Sequence, residues 1–245
     1  MPRASAPLTL QTYAACERRY RAWIEGAEPT LENAQAYLTH LSSKGAKATY
    51  LFVVAHAIRR NLGLMVDSPD LPIREPQYLT VDQVRALIDA SPTLLERVWF
   101  TVLFDTGCRL HEILELQVAD LRLEDGVARV VRKGGREEDI SLGQRSVVAL
   151  REWLASRRSD SPRVFMDLKD TEIRYRLGHV AKKLRIKFHP HMLRHTRARQ
   201  LYEAGVRLER ISEILGHRRL DTTMKIYARF RAEDRAKFMD QQAPW

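Results

Sequence analysis

The segment HMLRHTRARQ, residues 191–200, places two histidines and three arginines around the apolar pair Met192 and Leu193. His191 and Arg194 stand three apart, and His195 follows directly, so a helix here brings all three near one face. Arginine's planar fork suits phosphate or carboxylate oxygens, and histidine moves protons near neutral pH. The pairing fits phosphate chemistry. A solvated basic helix with His195 packed in a core fits the stretch equally well. Zinc fits poorly. His191 and His195 have metal-helix spacing, but no glutamate stands between them in HExxH register, and Arg194 would repel the ion.

Three further segments carry candidate groups. In LFDTGCRLHEILELQ, Arg109 and Glu112 lie three apart, just after Gly107, which permits a sharp entry to a helix. An arginine at a helix start opposes the macrodipole, so it serves an anion better than it serves the helix. A surface Arg–Glu pair is the plainer alternative. In VARVVRKGGREEDISL, Lys133 stands at the tip of a hairpin, where a flexible amine can reach a ligand held elsewhere. Arg132 and Arg136 compete for that role, and a solvated charged tip is the alternative. In ILGHRRLDTTMKIYARF, Gly216 ends a helix and exposes His217, and Tyr227 follows between Lys225 and Arg229. A phenol beside cations can attack phosphorus; a packed aromatic is the commoner use of such a tyrosine.

The elements that must position these groups are legible from apolar periodicity. Residues 9–26, 30–41 and 46–61 read as helices, the second capped by Thr30 and the third ended near Gly63. Pro69, Pro72 and Pro76 then break the pattern and stiffen a linker. Thr80 and Gln83 form a capping box that opens the next helix. A long apolar helix spans 92–105, and another runs from Arg109 to Leu116. Residues 118–142 change to a period of two. VADLRL, GVARVVRK and EEDISL read as short strands, with turns at Asp125-Gly126 and Gly134-Gly135. Helical patterns resume over 144–158, 170–183, 191–203, 208–215 and 221–229. The fold class expected is mainly α, with a small antiparallel sheet. The expected domains are 1–66, a linker over 67–78, and 79–245.

Charge points to the partner. The 245 residues carry 41 Lys and Arg against 31 Asp and Glu, a net of +10. The excess is concentrated: residues 174–235 hold 17 basic and 6 acidic side chains, whereas residues 1–75 hold 9 and 7. A polyanion, most simply DNA or RNA, suits that distribution. No apolar run is long enough for a transmembrane helix, and the first residues lack a signal peptide's apolar core. Cys16 and Cys108 make no disulfide framework, so a reducing cytoplasmic setting is expected.

The motifs TGCRLHEI, VRKGG, HMLRHTRA, LGHRRLDTT and KIYAR, in that order, resemble the tyrosine recombinases, also called phage integrases and Xer-type recombinases. The resemblance covers residues 76–230. It implies that 1–66 is a helical core-binding domain closing on DNA and that 79–245 is the catalytic domain with its tail. It implies that Arg109 and Arg194 are the two catalytic arginines, Lys133 the hairpin lysine, and His191 the histidine before the second arginine. His217 fills the histidine-or-tryptophan position, and Tyr227 is the nucleophile. Glu112 matches the acidic residue supporting the first arginine, and His195 a packed supporting position. The implied reaction cleaves and rejoins duplex DNA at a specific site through a 3′-phosphotyrosyl link, without metal, ATP or cofactor. The implied assembly is a homotetramer on two DNA sites, passing through a Holliday junction, from protomers weakly associated when free. A one-duplex topoisomerase and a non-catalytic DNA-binding protein are the competing functions. One feature departs from the family pattern: His217 and Tyr227 are ten apart where nine is common. One residue turns a helix by about 100°, which leaves delivery of Tyr227 in cis or in trans open.

Overall fold

The computed structural model describes residues 7–71, 77–132, 134–166 and 168–216. Pro72, Pro76, Lys133, His217, Tyr227 and the expected helix over 221–229 lie outside the described residues. The chain divides into two compact units, Met1–Glu75 and Pro76–Trp245.

The first unit is built from helices α1 (Pro7–Trp23), α2 (Leu31–Ser43) and α3 (Ala48–Leu62). Thr30 caps α2, its hydroxyl accepting from the Asn33 amide at 3.2 Å. Gly63 ends α3 in the left-handed conformation, φ 71°. Tyr20, Ala34, Tyr37, Leu38, Val54 and Ile58 form the core. These are the residues that the 3.6-residue period places inward. The Arg59 guanidinium donates to the Val66 carbonyl at 2.8 Å and so holds the chain as it leaves α3.

The second unit is organised around α5 (Leu94–Thr106), which is apolar on nearly every side because it is packed on nearly every side. Trp99, Phe100, Val102 and Leu103 are all buried. Around α5 stand α4 (Val81–Asp89), α7 (Gln144–Ser156), α8 (Asp170–Lys183) and α9 (His191–Glu203). The short α6 (Leu110–Leu114) precedes the sheet, and α10 (Leu208–Leu215) packs on α9. The capping box at Thr80 forms as its residues require: the hydroxyl accepts from the Gln83 amide at 3.1 Å, and the Gln83 side chain accepts from the Thr80 amide at 2.9 Å.

The sheet has strands β1 (Leu121–Arg122), β2 (Val127–Arg132) and β3 (Arg136–Ser141), antiparallel in that order. In β2 the residues Ala128, Val130 and Arg132 face inward and alternate with outward ones. Two expectations are corrected. VADLRL is not a strand throughout: Val118–Asp120 forms a 3-10 turn, and only Leu121–Arg122 pairs with β2. The reason is competition for the backbone. The Val118 amide donates to the Pro162 carbonyl at 2.8 Å, and Gln117 bridges Arg163. The helix expected from Arg109 to Leu116 is shorter, because Arg109 is the extended residue before α6 and the Leu116 carbonyl accepts from the Val164 amide at 2.9 Å.

Candidate active site

Arg109 enters the site from the corner after α5. Gly107 ends α5 at φ 63°, its amide donating to the Leu103 carbonyl at 3.1 Å. The chain then turns, and Arg109 precedes α6. Glu112, one turn on, has a fully buried side chain. Its carboxylate accepts from the Arg109 amide at 2.8 Å, from the Arg109 guanidinium at 2.8 Å and from the Arg132 guanidinium at 2.7 Å. Burial alone would raise the Glu112 carboxyl. The Arg109 amide and the charges of Arg132 and Arg109 outweigh it, so the group is held below its ordinary range.

Helix α9 supplies the other arginine. Met192 and Leu193 anchor it in the core, and Arg194 on the next position is 2 % exposed. Arg194 Nη1 donates to the Gly107 carbonyl at 2.8 Å, which ties α9 to the corner that presents Arg109. Arg194 Nη2 is buried without a hydrogen-bond partner. Burial, followed by the charge of Arg109, pushes the Arg194 pKa down to about 10. It stays cationic at neutral pH, but in surroundings that carry a surplus of positive charge. A buried donor aimed at no protein acceptor, beside a second guanidinium, is a place for an anion.

The corner tolerates little change. A Cβ on Gly107 would lie 2.4 Å from Leu215 Cδ2, and the backbone there is left-handed. Gly107→Ala is expected to destabilise the fold by about 1–3 kcal/mol from backbone strain alone, with a further loss from displacing α10. Thermal melting of the variant measures it; an unchanged melting temperature would contradict the packing described.

His191 opens α9 and His195 lies one turn along, their rings edge to face at 4.8 Å between centroids. His191 keeps an exposed surface, whereas His195 is half-buried. Burial of the ring, then His195, Arg194 and Arg109, push the His191 pKa down to about 4. Burial, then Arg194 and His189, do the same to His195. Both are therefore neutral at pH 7, and His191 has a proton-accepting nitrogen beside the arginines. A histidine whose folded pKa is depressed binds fewer protons than the unfolded chain between that value and 6.5. Stability therefore falls as the pH drops through that window. The expected result is a lower melting temperature at pH 5 than at pH 7, a range in which most carboxylates remain ionised. His195→Asn should flatten the slope. Equal slopes in the two proteins would rule out His195 as the source.

The structure thus brings Arg109, Glu112, His191, Arg194 and His195 into one cluster. It adds Arg132, one of the two expected competitors of Lys133 at the hairpin tip. The side chain of Arg132 is 3 % exposed and turned inward onto Glu112. The signal was present in the alternation of β2, which puts residue 132 on the face of Ala128 and Val130. Arg136, the other competitor, is exposed and pairs with Glu138.

The model of the phage integrase family matches residues 77–234. Tyrosine recombinase XerA of Pyrococcus furiosus is 30% identical over 228 residues, covering 85% of this chain and 79% of the relative. Tyrosine recombinase XerC of Pelobacter propionicus is 31% identical, covering 90% of this chain and 84% of the relative. Solved structures share the fold. A crystal structure of XerA recombinase has a TM-score of 0.62 at 24% identity, covering 98% of this chain and 94% of that one. A lambda integrase tetramer bound to a Holliday junction has a TM-score of 0.70 at 19% identity, covering 90% of this chain and 72% of that one. The five motifs in order, Arg194 tied to the Gly107 corner that presents Arg109, and these matches agree: the chain belongs to the phage integrase family, the tyrosine recombinases.

Proposed function

We propose that the chain is a site-specific recombinase that exchanges duplex DNA strands through a 3′-phosphotyrosyl intermediate, with Tyr227 as nucleophile. The observation that carries this reading is the buried, unpartnered Nη2 of Arg194 beside Arg109. That pair suits the two non-bridging oxygens of a scissile phosphate and the charge that grows on them in the pentacoordinate transition state. The Tyr227 oxygen bonds to phosphorus while the bond from phosphorus to the 5′-oxygen breaks. His191, neutral beside the arginines, accepts the phenol proton, and Lys133 supplies the proton that the leaving 5′-oxygen takes up. His217 donates to the phosphate. His195 packs behind His191, and Glu112 holds Arg109. Rejoining reverses the step with a partner strand's 5′-hydroxyl.

Residues 1–66, within the first unit, serve in this reading as the helical DNA-clamp domain, and 67–78 as the linker to the catalytic domain, 79–245. The basic excess over residues 174–235 suits duplex backbone. Four protomers on two sites, passing through a Holliday junction, is the assembly proposed, with support from the tetramer among the structural neighbours. The protein would act in the cytoplasm on DNA; no helix among the described residues is long and apolar enough to cross a membrane.

Trapping covalent protein–DNA adducts on host genomic and mobile-element DNA, then sequencing the trapped ends, tests the reading. Recombinase action predicts adducts clustered at one short sequence, each on a 3′ end. Relaxation of supercoiled plasmid lacking that sequence would favour a one-duplex topoisomerase, and duplex binding with no adduct would favour an architectural protein.

A further inference from the structure

Arg132 is the last residue of β2. Its position follows Ala128 and Val130 on the inward face, where an apolar side chain would extend the core at no electrostatic cost. The chain instead buries a guanidinium there, and its Nε has no hydrogen-bond partner. Nη1 donates to Glu112 Oε2 at 2.7 Å and lies 3.8 Å from Cys108 Sγ. Nη2 donates to Glu138 Oε1 on β3 at 3.2 Å. The flat face of the group lies against the end of α10: a Cβ on Gly216 would stand 2.6 Å from Arg132 Cζ and 2.7 Å from Nε. One side chain thus touches the start of α6, both strands of the hairpin and the cap of α10.

Each of those segments leads directly to a group of the proposed site. Glu112 is the carboxylate that also holds Arg109 by its amide and guanidinium. Residue 132 is bonded to Lys133 and residue 216 to His217. Charge alone would be met by a lysine, which has one ammonium. The contacts to Glu112 and Glu138 use two nitrogens of a rigid fork in one plane.

We propose that Arg132 is a positioning residue for strand cleavage, joining the hairpin, the Arg109–Glu112 arm and the α10 cap so that the arginine clamp and the hairpin's proton donor address one phosphate. This rests on the recombinase reading above. The step affected is the gain of a proton by the 5′-oxygen as its bond to phosphorus breaks. Sulfur in place of that oxygen leaves as a thiolate and takes up no proton, so it separates loss of the acid from loss of the clamp.

The test uses the full-length protein and nicked duplexes carrying the mapped cleavage sequence, with oxygen or sulfur at the 5′-bridging position. Single-turnover cleavage rates give a sulfur-to-oxygen ratio for each variant. A general acid contributes about 10²–10⁴-fold, so misplacing it through Arg132→Met should raise the ratio at least tenfold. Glu138→Ala removes the hairpin contact of Arg132, together with the exposed Arg136 pair, and leaves the Glu112 pairs intact; it should raise the ratio in the same direction by a few-fold. A rise in both supports the proposal. A wild-type ratio in a folded Arg132→Met overturns it, whatever the absolute rates. Should Arg132→Met fail to fold by thermal melting, Glu138→Ala decides alone, and a wild-type ratio there overturns the proposal. Lys133→Ala is measured beside them. A flat ratio in Lys133→Ala with raised ratios in the other two removes Lys133 as the acid while leaving Arg132 as the residue that positions it. Absence of any adduct in the unaltered protein would instead refute the recombinase reading itself.

Discussion

Tyr227→Phe will eliminate the covalent protein–DNA adduct while leaving the fold and duplex binding intact. The substitution removes one oxygen and keeps the aromatic ring, and phenylalanine has no nucleophilic oxygen to attack phosphorus. Residues 228–245 contain no tyrosine. The readout is a denaturing gel of a nicked duplex whose cleaved strand is 5′-labelled, with peptide mapping of any adduct. An adduct undiminished in the variant, or mapped to another residue, would refute the assignment. The ten-residue interval from His217 makes a companion variant informative. Deleting one residue between Leu220 and Lys225 restores the commoner interval. Lower cleavage would mean that the ten-residue interval is the productive one. Cleavage by unassembled protein would mean that the extra residue holds the tyrosine back until a partner docks.

Arg194→Ala should reduce strand cleavage by about 10²–10³-fold, the usual cost of removing one donor from a preorganised anion site. Duplex binding should fall far less, because many backbone contacts share it and this one acts mainly on charge that forms in the transition state. The variant also leaves the Gly107 carbonyl without its 2.8 Å donor, so some thermal stability is lost with it. Relief of an unfavourably buried charge works in the opposite direction, since burial and Arg109 already depress the Arg194 pKa to about 10. The two contributions make the stability change small beside the change in rate. Single-turnover cleavage against gel-shift affinity separates them. Cleavage within threefold of the unaltered protein would remove Arg194 from the phosphate clamp.

Most of the described helices were legible in local patterns of the chain, and five of the eight expected site residues lie among the described ones and share one cluster. Apolar spacing located α8 and α10, because each buries one stripe and shows the other to water, whereas α9 buries Arg194 and Thr196 beside Met192 and Leu193 and carries no such stripe. Thr30, Thr80, Gly63 and Gly107 marked ends, since caps and left-handed turns demand particular side chains locally. Five short motifs in order singled out Arg109, Glu112, His191, Arg194 and His195, which the fold gathers in one cluster. What tertiary structure alone decided were the contacts between segments distant in sequence. The 3-10 turn at Val118–Asp120 arises because the backbone beside it is claimed by Pro162 and Arg163, which no local pattern records. The depressed pKa values of His191 and His195 come from burial and from arginines gathered around them. Arg132 is the clearest case. Its alternation with Val130 said inward, and its charge said outward. Only a buried carboxylate supplied by α6, twenty residues earlier, resolves that conflict, because a guanidinium can leave water where oppositely charged oxygens already wait.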